Sequence, residues 1–326
     1  MRLFINGFGR IGRTILRQIV GVKVGQGTTV VGINDIAPIK TCAYLFQYDS
    51  TFGPFTDPVA TSDGKLTVGM IDIPFHCARD LRQIDLTGVD VVLECTGVAR
   101  TKDVAQHGLA AGAGAVLISG PSPAAEVTVV IGANDVDLGM ARIVSNASCT
   151  TNALAPLLAL LDNTYGIDRA HMTTTHCYTN SQPMIDAPRG DLARSRAGAL
   201  SIVPTTTSAM AATRQILPHL ADKITGSALR VPTASVSAID LVAQLQLMPQ
   251  DAVADIRELA EASPVMGWTD QPLVSSDLRG RPESLILALP ETQVTGAQLR
   301  LMGWYDNEWG FSARMLDMAH RMAARS

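Results

Sequence analysis

Apolar residues in the first half of the chain form short continuous runs that alternate with segments of helical periodicity. The run LFIN (residues 3–6) leads through a glycine-rich turn to residues 13–22, where apolar positions recur at helical spacing. Further apolar runs lie at residues 28–35, 89–97, 115–120, 127–133 and 142–148. Continuous rather than alternating runs are typical of parallel strands buried on both faces. The pattern predicts a doubly wound α/β sheet.

The pattern changes after Cys149, where residues 151–166 have the periodicity of a helix. Longer alternating runs follow at residues 170–179, 224–232, 235–247 and 297–307. Alternation is typical of strands with one solvated or interface face. We therefore expect an α+β domain with a mostly antiparallel mixed sheet. Residues 180–207, rich in Gly, Pro and Arg, are expected to form a long functional loop, because structureless loops of that size are otherwise uncommon.

Chain length and the change of pattern predict two domains. A chain of 326 residues is longer than most chains that fold around a single hydrophobic core. We place an N-terminal α/β domain at residues 1–147 and a second domain at residues 148–308. An amphipathic helix at about residues 309–326 is expected to pack back onto the first domain.

Composition narrows the class of protein. The chain is 47% hydrophobic and 17% charged, and its formal net charge is −4. This charge gives no indication of a basic surface that would bind nucleic acid. No run is long enough for a membrane helix, and the N-terminus lacks the pattern of a signal peptide. The five cysteines are scattered without C-x-x-C spacing, which argues against a disulfide framework or a zinc site. We expect a cytoplasmic enzyme or binding protein with no metal and no membrane partner.

A dinucleotide-binding fingerprint stands at the start of the chain. Gly7, Gly9 and Gly12 form G-x-G-x-x-G between a predicted strand and a predicted helix. These glycines permit a tight turn, close approach of a pyrophosphate and close packing of helix on strand, while the helix N-terminus favours the phosphates. Asp35 ends the next strand, about 20 residues on, where a carboxylate binds the adenosine ribose. A carboxylate there repels a 2′-phosphate, so the fingerprint predicts NAD rather than NADP and marks a Rossmann domain.

Cys149 lies where a strand-like run ends and a helix begins. A helix N-terminus favours the thiolate, which would make this cysteine a nucleophile. Position alone is equally compatible with an inert packing residue. His176 ends a predicted strand of the second domain and is a candidate base, although taken alone it also fits a structural histidine. A nicotinamide site, a thiol and a histidine together indicate an aldehyde oxidation in which the thiolate adds to the carbonyl, hydride leaves for NAD and a thioester remains.

Basic and hydroxyl-bearing residues cluster in the second half of the chain. They are Thr179, Arg189, Arg194, Arg196, Arg230 and the PTTTS segment at residues 204–208. Arginine combined with Thr and Ser hydroxyls binds phosphate oxygens through charge and forked donors. A solvated loop or a subunit interface explains the same composition, and we favour that interpretation for Arg189 and Arg196. For Arg194 and Arg230 the composition alone leaves both interpretations open.

Six motifs, in order and spacing, resemble the phosphorylating glyceraldehyde-3-phosphate dehydrogenase family. They are INGFGRIGR, YDSTFG, SNASCTTN, RVPT, VSAIDL and WYDNEWGFS, and the resemblance runs essentially end to end. ASCTTN is specific to this family and its close relative, erythrose-4-phosphate dehydrogenase. The resemblance implies a glycolytic NAD-dependent aldehyde dehydrogenase, usually a homotetramer, that converts glyceraldehyde 3-phosphate to 1,3-bisphosphoglycerate through a hemithioacetal and a thioester. It also implies that residues 1–147 bind NAD and that residues 148–308 form the catalytic and oligomerisation domain.

The resemblance also implies roles for individual residues. Cys149 becomes the nucleophile and His176 the base that activates it. The implied cofactor residues are Arg10, Ile11, Asp35, Arg79, Thr96 and Ser119, with Asn307 holding the nicotinamide amide. The implied ligands of the substrate phosphate are Thr179, Ser181 and Arg230; those of inorganic phosphate are Ser148, Thr150, Thr207 and Ser208, with Arg194 shared between the two. The loop from about residue 180 to 200 resembles the family's S-loop, which borders a neighbour's cofactor.

Several positions depart from the family pattern. Ser181 replaces the frequent Asp or Thr, and Ser208 replaces the usual Gly, so two phosphate contacts are altered. Ala153 removes a frequent second cysteine. Ala187 is a feature of members that tolerate NADP, whereas Pro188 and Asp35 favour NAD. Two alternatives to the leading hypothesis therefore stay open: a different aldehyde phosphate such as erythrose 4-phosphate, and a catalytically silent cofactor-binding regulatory protein.

Overall fold

The computed structural model describes residues 1–21 and 27–325, which group into two compact units. The first unit comprises Met1–Val129, Val136–Ala147 and the chain from Ser312 onward, and the second comprises Val130–Asp135 and Ser148–Phe311. Val22, at the end of the helix predicted over residues 13–22, and Ser326, at the end of the predicted C-terminal helix, lie outside the described residues. Every helix within the described ranges is too short or too polar to span a lipid bilayer.

A twisted, largely parallel sheet forms the centre of the first unit. Its strands are β1 (Arg2–Asn6), β2 (Thr29–Asn34), β3 (Val59–Ser62), β4 (Lys65–Val68), β5 (Ile71–His76), β6 (Val91–Glu94), β7 (Ala115–Ile118), β8 (Val127–Thr128) and β9 (Ile143–Ser145). Its helices are α1 (Arg10–Gly21), α2 (Ile39–Gln47) and α3 (Lys102–Ala110). The strand order is β3-β4-β5-β2-β1-β6-β7-β9-β8, with antiparallel pairing confined to β3-β4-β5. The central order β5-β2-β1-β6-β7-β9 is that of a Rossmann sheet, which confirms the predicted fold class.

One strand in the first half of the chain is shorter than predicted. The apolar run at residues 127–133 continues through Ala133, but strand β8 ends at Thr128. Beyond it the Val130 N–H donates to the Asn134 side chain at 2.8 Å, and the Gly132 N–H donates to the Asp135 carboxylate at 2.7 Å. Side-chain acceptors therefore hold the second half of the run in a turn, which apolar periodicity cannot reveal.

A mixed sheet with helices forms the second unit. Its strands are β10 (Ile167–Cys177), β11 (Val203–Thr205), β12 (Ile224–Val231), β13 (Ser237–Leu245), β14 (Met266–Thr269), β15 (Leu285–Ala288), β16 (Gln293–Thr295) and β17 (Gln298–Tyr305). Its helices are α4 (Cys149–Tyr165), α5 (Ala209–Ile216), α6 (Ala252–Ala262) and the start of α7 (Trp309–Ala323). The order is β11-β12-β10-β13-β17-β15-β14, with β16 paired to β17. The β10–β12 and β14–β15 pairs are parallel and the other pairs are antiparallel, which confirms the predicted mixed sheet.

The C-terminal helix α7 continues into the first unit from Ser312 onward. There His320 Nε2 lies 3.1 Å from Thr28 Oγ1, and Arg325 Nη1 donates to the Leu138 carbonyl at 3.0 Å. A buried apolar face, including Met315 and Met318, accompanies these polar contacts. Burial of that face stabilises the helix far more than its intrinsic propensity does.

The polar segment at residues 180–207 is not structureless. A single 3₁₀ turn forms at Ala193–Ser195, and the segment ends in β11, which pairs with β12. The Asp186 carboxylate accepts the Ala197 N–H at 2.9 Å and lies 2.7 Å from the Arg196 guanidinium. The segment predicted as a long functional loop is therefore a loop up to Ile202, and three residues near its end join the sheet.

Candidate active site

Cys149 is the first residue of α4, immediately after a strained turn. Ala147 has φ 55, a left-handed conformation that costs free energy in a residue other than glycine. Ser148 then caps the helix, its Oγ accepting the Thr151 N–H at 3.1 Å. This local geometry presents the half-buried thiol at a helix N-terminus, where unpaired N–H groups and the helix dipole favour an anion.

The imidazole of His176 faces that thiol. His176 is 6% exposed at the end of β10, and its Nε2 lies 3.6 Å from Cys149 Sγ. Burial raises the pKa of the Cys149 thiol, while hydrogen bonding from Thr150 and the charge of Arg230 act in the opposite direction. Burial, followed by the nearby Arg230 charge, lowers the pKa of His176 to about 4. The ring is therefore neutral near neutral pH and able to accept the thiol proton.

Arg230 lies beside His176 because β10 and β12 are parallel neighbours in which these two residues are in register. Its Nη1 contacts His176 Nδ1 and donates to the Cys177 carbonyl at 2.9 Å. His176 Nδ1 itself lies 2.8 Å from the same carbonyl. With Nδ1 held in this way, the ring directs Nε2 toward the thiol, and that orientation is what a base requires.

A buried chain of hydroxyl groups supports the thiol and the imidazole. The Tyr305 hydroxyl lies 2.9 Å from Thr150 Oγ1 and 2.8 Å from Thr174 Oγ1, and Thr174 Oγ1 donates to the Ala238 carbonyl at 3.1 Å. The Tyr305 ring also meets the His176 ring edge-on at 5.9 Å. Burial raises the pKa of Tyr305, so its hydroxyl stays protonated. Sequence reasoning missed Tyr305 because its partner Thr150 is 155 positions away.

An anion-sized cavity of about 240 Å³ lies in the same unit. Its lining residues are Ser181, Gln182, Arg194, Thr205, Thr206, Ser208 and Arg230. Four of the predicted phosphate ligands thus share one cavity, and Thr179 joins them through a 2.9 Å contact between its hydroxyl and that of Ser181. Two guanidinium groups among hydroxyls suit a phosphate dianion.

Three other predicted phosphate ligands lie outside this lining. Thr207 Oγ1 accepts the Ala209 N–H at 3.1 Å at the start of α5, so its neighbours in the 204–208 segment line the cavity instead. The hydroxyls of Ser148 and Thr150 already have protein partners, Thr151 and Tyr305.

The glycine fingerprint of the first unit has the geometry of a phosphate-binding turn. Gly7 has φ 93, and a Cβ there would lie 2.7 Å from the Cys95 backbone. A Cβ at Gly12 would lie 2.2 Å from the Gly7 carbonyl oxygen, so helix and strand need glycine to pack. Gly9 has open space where a Cβ would stand, which leaves room for a pyrophosphate at the start of α1.

A cavity of about 370 Å³ adjoins this turn. Its lining residues are Asn6, Gly7, Gly9, Asn34, Asp35, Ile36, Ala78, Arg79, Leu81, Glu94, Cys95, Thr96, Val98, Val104 and His107. The carboxylate of Asp35 is fixed, since Oδ2 accepts the Phe8 N–H at 2.7 Å and Oδ1 accepts the Ala37 N–H at 2.8 Å. A fixed carboxylate beside an open glycine turn fits the adenosine half of NAD.

Five predicted cofactor residues lie outside the cavity lining. Arg10 pairs with Asp49 and lies 5.5 Å over the Phe52 ring, which leaves its backbone at the start of α1 as the part near the turn. The other four are Ile11, Gly12, Ser119 and Asn307.

Glu94 is a buried carboxylate in the lining that sequence reasoning missed. It accepts from Asn6 Nδ2 and from the Thr96 N–H, and burial raises its pKa. The signal was present as a carboxylate at the end of the buried part of the apolar run at residues 89–97, which also contains Asp90 near its start. Within residues 1–21 and 27–325, no group of three or more His, Cys, Asp or Glu side chains is arranged to hold a metal ion.

Comparison with known proteins gives matches to both halves of the chain. Residues 1–102 match the family description "Glyceraldehyde 3-phosphate dehydrogenase, NAD binding domain", and residues 148–307 match "Glyceraldehyde 3-phosphate dehydrogenase, C-terminal domain". The glyceraldehyde-3-phosphate dehydrogenase of Pseudomonas aeruginosa is 45% identical over 332 residues, covering 99% of this chain and 98% of the relative. Proteins of the same name from Xanthobacter flavus and Cereibacter sphaeroides are 43% and 41% identical at the same coverage.

Proposed function

The chain belongs to the glyceraldehyde-3-phosphate dehydrogenase family, an NAD-dependent oxidoreductase family, and we propose that it oxidises glyceraldehyde 3-phosphate to 1,3-bisphosphoglycerate with NAD and inorganic phosphate. The observation that carries the proposal is the pairing of Cys149 with His176 at a helix N-terminus. Arg230 supports it further, because the same guanidinium contacts His176 and lines the anion cavity.

The geometry supports covalent catalysis by the thiol. Cys149 gives its proton to His176 Nε2 and adds to the aldehyde carbon, forming a hemithioacetal. The backbone N–H of Cys149 and the protonated His176 donate to the developing oxyanion, a contribution of about 3 kcal/mol for such donors. NAD, when bound, is the hydride acceptor for this oxidation. Inorganic phosphate then attacks the resulting thioester, and the thiolate of Cys149 leaves.

Ligand assignments follow the family resemblance, and the two cavities support them for the residues that line a cavity. We assign the substrate phosphate to Thr179, Ser181 and Arg230, and inorganic phosphate to Ser148, Thr150, Thr207 and Ser208, with Arg194 serving both. We assign NAD to Gly7, Gly9, Arg10, Ile11, Gly12, Asp35, Arg79, Thr96 and Ser119, with Asn307 binding the nicotinamide amide. The resemblance also leads us to propose a homotetramer.

A steady-state screen tests the proposal. Glyceraldehyde 3-phosphate and erythrose 4-phosphate are offered with NAD or NADP, with and without inorganic phosphate. We expect glyceraldehyde 3-phosphate with NAD to give the highest kcat/KM and turnover to require phosphate. Preference for erythrose 4-phosphate, or release of the acyl group to water at full rate, would replace this function by that of the erythrose-4-phosphate branch. No turnover with any combination would leave a silent cofactor-binding protein.

Arg194→Ala is expected to raise the KM for glyceraldehyde 3-phosphate and for inorganic phosphate by about tenfold or more, since a charge-assisted hydrogen bond contributes roughly 1.5–3 kcal/mol. The guanidinium lines the anion cavity and contacts Thr206 Oγ1, so its loss removes positive charge from the cavity itself. Steady-state kinetics with each phosphate varied in turn measures the effect.

Arg189→Ala is the matched control, because Arg189 is an exposed arginine of the same segment and does not line the cavity. Its KM values should stay within about twofold of the parent, as for a solvated surface charge. Equal effects of the two substitutions would show that Arg194 acts through the overall charge of the segment.

Asp35→Gly is expected to reduce the preference for NAD over NADP by about tenfold or more, because it removes the ribose acceptor and the repulsion of a 2′-phosphate. The ratio of kcat/KM for the two cofactors measures the effect. Asp63→Gly is a matched control that removes one exposed carboxylate from a hairpin turn with φ 49, a conformation glycine adopts freely. An unchanged ratio in Asp35→Gly would show that Asp35 is not the selector.

A further inference from the structure

Cys177 occupies a fixed position one residue beyond the base. It ends β10 and is 1% exposed. Its N–H donates to Ser237 Oγ at 3.1 Å, and its carbonyl accepts from Arg230 Nη1 at 2.9 Å. These hydrogen bonds fix the backbone of Cys177 and therefore the direction of its Cα–Cβ bond. Its Sγ donates to Asn307 Oδ1 at 3.1 Å.

The backbone of Asn307 is also fixed. The buried carboxylate of Asp306 accepts the N–H groups of Glu308 at 3.0 Å and Trp309 at 2.9 Å through Oδ1, and that of Gly280 at 2.9 Å through Oδ2. This capping arrangement holds the turn between β17 and α7. The side chain of Asn307 can still change conformation, above all by a flip of the amide that exchanges the positions of Oδ1 and Nδ2.

The thiol of Cys177 determines whether Oδ1 or Nδ2 of the Asn307 amide faces it. Burial raises its pKa to about 12, so the thiol keeps its proton and remains a donor near neutral pH. As a donor it binds the oxygen of the amide, and the 3.1 Å contact of Sγ is with Asn307 Oδ1. Holding Oδ1 leaves Nδ2 on the other side of the half-buried amide, where it offers two N–H donors.

We propose that Cys177 is a positioning residue for the cofactor: its thiol holds the Asn307 amide so that Nδ2 donates to the carboxamide oxygen of nicotinamide. This inference rests on the proposed function, in which Asn307 binds the nicotinamide amide. Without the thiol, the Asn307 amide can turn over and present its oxygen instead. The carboxamide of NAD has both a donor and an acceptor, so it can turn over as well and partly restore the hydrogen bond.

Binding of 3-acetylpyridine adenine dinucleotide tests this proposal, since its acetyl group has only an acceptor. Dissociation constants for NAD and for the acetyl analogue are measured by isothermal titration calorimetry, which needs no turnover. Cys177→Ala is expected to weaken binding of the analogue about three- to tenfold more than binding of NAD, the range of one neutral hydrogen bond. Cys177→Ser keeps a donor at the same position and should hold the ratio of the two constants near that of the parent.

A double-mutant cycle separates positioning from a merely structural role. In an Asn307→Ala background, Cys177→Ala should leave the ratio of the two dissociation constants unchanged, because the thiol then has no amide to hold. A change of ratio that persists in that background would overturn the proposal. Equal weakening of both cofactors by Cys177→Ala, or the same ratio in the Ala and Ser variants, would overturn it too.

The outcomes distinguish this inference from the proposed function. Parent protein that binds NAD and oxidises the aldehyde, with a ratio insensitive to Cys177, rejects the positioning role alone. Parent protein that binds neither dinucleotide rejects both. Thermal unfolding of each variant identifies any loss of folded protein, and Cys177→Val, which also lacks a donor but fills more of the buried space, carries the test if the Ala variant is unstable.

Discussion

Cys149→Ser is expected to lower kcat for glyceraldehyde 3-phosphate by about a thousandfold or more, the scale seen when a covalent nucleophile is removed. A serine hydroxyl is far less acidic than a thiol, so His176 at 3.6 Å cannot generate an equivalent anion from it. The helix N-terminus stabilises a thiolate, but this electrostatic stabilisation is too small to ionise the hydroxyl of a serine. Steady-state kinetics with NAD and phosphate at saturation measures the loss.

Cys42→Ser is the matched control for that substitution. Cys42 is a buried cysteine of α2 whose thiol pKa burial raises to about 11, and it lies outside both cavities. Its variant should keep kcat within about threefold of the parent, as for a change away from the reacting groups. If Cys149→Ser kept more than about a tenth of the parent kcat, the thiol would not be the nucleophile.

His176→Asn is expected to lower kcat by about a hundredfold to ten-thousandfold, the usual contribution of a general base. The pH dependence should change as well. With its pKa lowered to about 4, His176 is neutral through the neutral range, so its unprotonated Nε2 can accept the thiol proton as the sulfur attacks. Without it the thiol must ionise alone, and burial places its pKa above the ordinary value of about 8.5. Alkylation by iodoacetamide should therefore become fast only in the alkaline range.

His171→Asn tests whether this effect is specific. His171 lies on the same strand, is exposed and has Nδ1 2.8 Å from Thr225 Oγ1. Its variant should alkylate with the pH profile of the parent. A parent-like profile in His176→Asn would instead mean that the helix N-terminus and the charge of Arg230 lower the thiol pKa without a base.

Hydrophobic patterning predicted the fold because burial on both faces leaves a strong signal. Strands β6 and β7 are buried at every residue, and their sequences are apolar apart from Glu94 at the end of β6. The pattern failed where a polar side chain decides the backbone. Asn134 and Asp135 hold the residues after Thr128 in a turn, and nothing in the apolar run before them shows it.

The candidate site was predictable where local sequence carries the chemistry. Cys149 follows a capping serine, and the glycine fingerprint follows a strand, so the sequence signals for both lie within a few positions. Tyr305 and Cys177 escaped notice because their contacts join distant segments. The Cys177–Asn307 hydrogen bond, for example, spans 130 positions and depends on how β10 and β17 are ordered in the sheet.

A single turnover without phosphate tests covalent catalysis through Cys149 most directly. Enzyme is mixed with NAD and glyceraldehyde 3-phosphate in phosphate-free buffer, NADH is followed by absorbance, and the protein is quenched for mass spectrometry. We predict a burst of about one NADH per active site, an acyl group on Cys149, and its rapid loss with renewed turnover when phosphate is added. An acyl group on another cysteine, no acyl group at all, or equally rapid loss before phosphate is added would contradict the account.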